Sequence, residues 1–194
     1  TAFMFQKATQ QLRVGFTKMR PSFFFALNFI GLQAVWAACA YGAVEQNAMI
    51  GVIAAIIYLA LHFSFSPQAY IDFLVLIGIS SVGLLIDSMN QTLGVASFYA
   101  SNESFLAIPY WLLTLWMVFA VSLPHSLYWL RHKPFIAMLA GAIGSASSYF
   151  AGSRFDALSF AEPLWQSLLV FSLEWALLLP ISYYAIKRLK NSTQ

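Results

Sequence analysis

With 7 acidic and 10 basic side chains in 194 residues, few groups in this chain can do chemistry, and those within apolar stretches matter most. Asp87, Arg154 and Glu174 lie in or at the ends of such stretches, among Asn28, Gln33, Asn90, Gln91, Ser148 and Tyr149. Ionisable groups in a bilayer are costly and turn toward partners or water-filled space, so these residues form the candidate ligand-binding set. A helical rise of about 1.5 Å per residue puts Asp87 and Arg154 about 25 and 28 Å above the inner starts of their segments. An Asp87–Arg154 pair is therefore expected, either as a device that fixes helix register or as part of a site. The same arithmetic brings Glu174 and Gln33 to about 16 Å and Ser145 to about 15 Å. Protonated, Glu174 would donate to Gln33; ionised, it would bind a cation or relay a proton.

The histidines suggest metal chemistry less well. His62 and His125 fall toward one end of their segments and His132 in the adjacent turn, but no two share a helix at ligand spacing. No cysteine or carboxylate is expected at their depth, so no metal or haem site is assigned. All five lysines (Lys7, Lys18, Lys133, Lys187, Lys190) lie outside the apolar segments, leaving no amine for a Schiff base. No phosphate-binding glycine loop, nucleophile elbow or HExxH zinc motif occurs, and no catalytic residue or cofactor is assigned.

The elements that must position these groups are apolar helices. The chain is 60% hydrophobic and 9% charged, where a soluble domain carries about 25% charged residues. An all-α, polytopic membrane protein follows, with spans at about 22–43, 48–65, 70–94, 109–130, 135–153 and 163–186. A basic segment at 1–21 is expected to rest on the membrane surface, and 187–194 forms a basic tail. The central helix is AMLAGAIGSASSYFAGSR, 137–154. Ala140, Gly144, Ser148 and Gly152 recur every fourth position beside Ala137, Gly141 and Ser145, a spacing that lets helices approach closely in lipid. On the third span, Ser80, Gly83, Asp87, Asn90 or Gln91, and Gly94 share a face. Nine of the ten basic residues fall on one side of a six-span layout, and only Arg154 on the other. Positive charge marks the cytoplasmic side, so both termini are expected there. This placement is a topology signal rather than a nucleic-acid surface, and the single cysteine, Cys39, excludes a disulfide framework.

Four stretches carry a resemblance: ALNFIGLQAVW in the first span, LLIDSMNQTLGV in the third, PYWLLTLWMVFAVSLPHSLYWL in the fourth and GAIGSASSYFAGSRF in the fifth. Over about residues 25–180 the chain resembles the bacterial membrane proteins catalogued as domain of unknown function 2878. That family's fifth-span pattern is similar to Gly-Gly-Pro, then Tyr, then Gly-x-Arg-Leu-Gly. This chain keeps Gly144, Tyr149, Gly152 and Arg154, with Ser145 and Ala146 in place of Gly-Pro and Phe155 and Asp156 in place of Leu-Gly. A proline kink there is not expected. The resemblance implies a bacterial inner membrane and no activity, and Glu174 is not part of its pattern.

Three roles fit these residues. The first is non-enzymatic binding or transport of a small molecule or lipid within the bundle. The second is an accessory or structural subunit of a larger membrane complex, with other membrane proteins as partners. The third is an intramembrane lipid-modifying enzyme using Asp87 or Glu174 as acid or base, which lacks a second carboxylate at matching depth. The lipid bilayer is the partner common to all three, and the oligomeric state stays open.

Overall fold

The computed structural model describes residues 20–100, 104–105 and 108–192, so the expected interfacial segment at 1–21 lies almost wholly outside the described residues. The described residues hold six α-helices: α1 (Pro21–Val44), α2 (Met49–Phe65), α3 (Ala69–Thr92), α4 (Tyr110–Ser122), α5 (Pro134–Ser153) and α6 (Leu164–Ser192). Short strands follow α3 and α5: β1 (Ala96–Phe98), β2 (Ser104–Phe105), β3 (Ile108–Pro109) and β4 (Leu158–Phe160). β1 pairs antiparallel with β4, Ser97 opposite Ser159, and β2 with β3, Ser104 opposite Pro109.

By length and composition, α1, α3, α5 and α6 are apolar enough to cross a membrane, while α2 and α4 are shorter apolar helices of 17 and 13 residues. Large apolar side chains face outward, among them Phe29, Ile57, Leu85, Ile143 and Leu173. Asn28, His62, Asp72 and Asp87 are fully buried instead. Apolar surface on this scale is unfavourable in water and suits lipid.

Three boundaries differ from the sequence reading. The fourth helix stops at Ser122 rather than near 130, because Pro124 has no N–H to continue the ladder. His125 and Leu127 instead donate their backbone N–H groups to the Ser122 carbonyl, and a 3-10 turn over Tyr128–His132 leads to α5. The sixth helix continues past 186 into the expected tail and reaches Ser192, with Arg188 Nε donating to the Tyr184 hydroxyl. The stretch 95–108, expected to connect the third and fourth spans, contains β1, β2 and the first residue of β3.

The small residues of α5 divide their work. A Cβ on Gly141 would lie 2.2 Å from the Trp175 carbonyl oxygen, so glycine is what lets α5 and α6 touch backbone to backbone. Ser145 Oγ donates to the Phe171 carbonyl at 3.1 Å, and Ser172 Oγ returns a bond to Ala142 at 3.2 Å. The packing stripe is therefore Ala137–Gly141–Ser145. Ala140 and Gly144, about 100° round the helix, are exposed, and Ser148 is half-buried. A Cβ on Gly144 would meet nothing within 4 Å. Of the two small-residue stripes, 137–141–145 is thus the one that seats a helix of this chain. α5 runs unbroken through Ser145 and Ala146, as their non-proline identities imply.

Candidate functional site

On α3, Ser80, Gly83, Asp87 and Asn90 are all buried, as their shared face requires. Gly83 leaves room for Trp116 of α4, since a Cβ there would lie 2.1 Å from the indole. That indole donates Nε1–H to Asp87 Oδ2 at 2.7 Å. From α5, the Tyr149 hydroxyl lies 3.0 and 3.2 Å from the two Asp87 oxygens. Two neutral donors thus hold the carboxylate, and stacking fixes both. Trp116 stacks on Trp175 with ring centroids 4.8 Å apart, and Tyr149 stacks on Phe171. One turn along α3, Asn90 Nδ2 donates to Glu174 Oε2 at 2.9 Å.

Trp116 and Tyr149 also wall a cavity of about 490 Å³ enclosed by α1, α4, α5 and α6. Its surface is apolar and aromatic, with Trp36, Trp111 and Trp175 completing a set of four indoles. The open side is bounded by exposed Gln33 on α1 and exposed Ala140, Gly144 and Ser147 on α5. Across it Trp36 Nε1–H donates to Ser148 Oγ at 3.0 Å. Among the described residues the buried Trp175 indole N–H has no acceptor at hydrogen-bond geometry. Asp87 lies one side chain behind this wall.

A second cluster lies at the end of the bundle that carries Arg20, Arg131 and Lys133. His62 from the last turn of α2, Asp72 from the first turn of α3 and His125 after α4 converge there. His62 Nε2 and His125 Nε2 stand 3.1 and 2.8 Å from the same oxygen, Asp72 Oδ2. The Ser66 hydroxyl donates to that oxygen too, and Gln68 Nε2 to Oδ1 at 3.3 Å. His62 Nδ1 faces Asn28 Oδ1 at 2.9 Å, and the Tyr58 hydroxyl donates to the same amide oxygen at 2.8 Å. The expectation that no carboxylate shares the histidines' depth is overturned by Asp72. Its signal was available: 62 and 72 lie five residues either side of Pro67, so a tight antiparallel hairpin brings them level.

The candidate residues named from sequence fall in several places. Asp87 and Tyr149 meet, as do Asn90 and Glu174. Gln33 and Ser148 edge the cavity, and Asn28 belongs to the histidine cluster. Gln91 Oε1 accepts from the Phe98 backbone N–H at 3.2 Å and anchors β1. Arg154 is exposed, its guanidinium 5.0 Å above the Phe150 ring. Among the described residues no salt bridge joins Asp87 to Arg154, so the expected pair is corrected: Arg154 caps α5 outside the bundle. Glu174 likewise does not reach Gln33. Ser167, in the first turn of α6, bonds the Val95 carbonyl beyond the end of α3, so Glu174 descends only to the level of Asn90.

A family described as Protein of unknown function (DUF2878) matches residues 25–181 of the chain. No curated protein and no solved structure matches it significantly.

Proposed function

This chain belongs to the DUF2878 family, a family of unknown function, and we propose from its geometry that it binds a lipophilic small molecule within the bilayer. The observation that carries this reading is the aromatic-walled cavity of about 490 Å³ between α1 and α5. Ligand sites commonly span about 300–1,000 Å³ and combine apolar walls with a few polar anchors. Here the anchors are the Ser148 and Tyr149 hydroxyls and the Trp175 N–H. A ligand dissolved in the bilayer enters sideways past Trp36 and turns its polar group toward Tyr149. In this reading all six helices span a bacterial inner membrane. α2 is short but apolar, α4 is extended by the turn through His132, and both termini are cytoplasmic. Native mass spectrometry of the protein extracted in mild detergent tests the proposal. A bound lipophile lost in Gly144→Leu supports it, whereas an adduct-free native chain that no added lipophile stabilises contradicts it.

One observation favours a second reading, an accessory subunit. The Ala140–Gly144 face of α5, exposed beside half-buried Ser148, also fits a helix from another protein. Stoichiometric co-purification of a partner, abolished by the same substitution, would favour that role.

A further inference from the structure

We propose that His62, Asp72 and His125 bind one divalent first-row transition metal ion. Three ligands of the right chemistry converge on one small volume, their donor atoms all within 4.8 Å of one another. Metal–ligand bonds of about 2.0–2.1 Å at tetrahedral angles set donor atoms about 3.3 Å apart. The two nitrogen–oxygen edges here are 3.1 and 2.8 Å, so modest widening of the triangle admits the ion. Two imidazoles and one carboxylate are a ligand set suited to zinc or iron(II), with coordination positions left open.

The surroundings suit a bound cation. Asn28 Nδ2 donates to the Phe24 carbonyl, which turns its amide oxygen toward His62. That oxygen can only accept, so His62 Nδ1 carries a hydrogen. His62 Nε2 then faces a carboxylate oxygen 3.1 Å away, a contact that either a proton or a metal ion between them satisfies. A metal ion at that place would meet both Nε2 atoms and Asp72 Oδ2 at once. The Asn28 contact is the outer-sphere support that ligating histidines generally have, and Ser66 and Gln68 steady the carboxylate. His62 and Asp72 are fully buried, while the His125 side chain is 9% exposed and gives the ion its way in.

The test uses the full chain, free of any histidine tag, stripped with chelator in detergent and titrated with Co²⁺. The expected result is one Co²⁺ per chain with a visible absorption band, displaced by Zn²⁺. His125→Gln should weaken binding at least tenfold, while His132→Gln, an exposed residue outside the cluster, leaves it unchanged. Asn28→Leu should weaken it about 10- to 100-fold through the outer sphere. Should the buried variants fail to fold, pulsed EPR of Cu²⁺ on the native chain reads the site directly and must show two imidazole nitrogens. No stoichiometric ion, binding indifferent to His125→Gln, or a spectrum without two imidazoles would overturn the proposal.

Discussion

The Tyr149 hydroxyl of α5 stands 3.0 and 3.2 Å from the two oxygens of the Asp87 carboxylate on α3, at the back of the aromatic cavity. Two helices that share little direct packing are thereby tied through one buried acid. Tyr149→Phe leaves the ring stacked on Phe171 and removes only the donor. Loss of a hydrogen bond to a buried carboxyl costs about 1–3 kcal/mol, so the variant should unfold earlier in a detergent-based thermal or SDS titration. A melting curve unchanged from the native chain would show that the bond contributes nothing.

The glycines should separate cleanly by what a methyl group meets. Gly83→Ala drives a carbon to 2.1 Å from Trp116, and Gly141→Ala to 2.2 Å from the Trp175 carbonyl. Each should cost about 1–3 kcal/mol by overpacking, with Gly83→Ala also disturbing the Trp116–Asp87 bond. Gly144→Ala meets nothing and should be neutral or gain about 0.5–1 kcal/mol from the helical backbone. Thermal unfolding of the three variants side by side checks the order.

Trp36→Phe removes the hydrogen bond that crosses the cavity mouth to Ser148. A part-buried, neutral bond contributes about 0.5–1.5 kcal/mol, so stability should change little. Exchange of a bound lipophile should accelerate several-fold, read as a faster dissociation phase in stopped-flow displacement.

Topology is open to chemical labelling. In a Cys39→Ala background, Glu45→Cys should react with a membrane-impermeant maleimide in intact cells. Asn191→Cys, near the end of α6, should react only after permeabilisation. Both positions are exposed, so failure to label reflects sidedness rather than burial.

Much of this was legible in the residues, for particular reasons. Hydropathy located all six helices because each is a continuous apolar run, and α1, α2, α3 and α5 keep their expected limits within about two residues. It misjudged α4, because leucines and Trp129 beyond Pro124 are as apolar as the helix yet cannot continue its ladder. It also ended α6 early, because Lys187 and Arg188 look like a tail although they favour helix as readily as solvent. The face of α3 from Ser80 to Asn90 followed from periodicity alone. Which small-residue stripe of α5 would pack did not, since 137–141–145 and 140–144–148 have the same spacing. Depth arithmetic failed for Arg154 and Glu174 because it levels helix ends that are staggered in space. Asp72 has the residue type of any acid in a helix's first turn, where it suits the dipole, and only the hairpin through Pro67 sets it level with His62.

The cavity between α1 and α5, proposed to hold a lipophile, carries its own reporters in the tryptophans of its walls. Of six tryptophans, Trp36, Trp111, Trp116 and Trp175 line the cavity, so a Trp129→Phe/Trp165→Phe chain fluoresces only from its walls. That chain, reconstituted in nanodiscs, should be titrated with a brominated fatty alcohol. The account predicts saturable quenching at low mole fraction, largely lost when Gly144→Leu fills the space. Quenching that rises linearly with bromine in the bilayer, equal with and without Gly144→Leu, would contradict it.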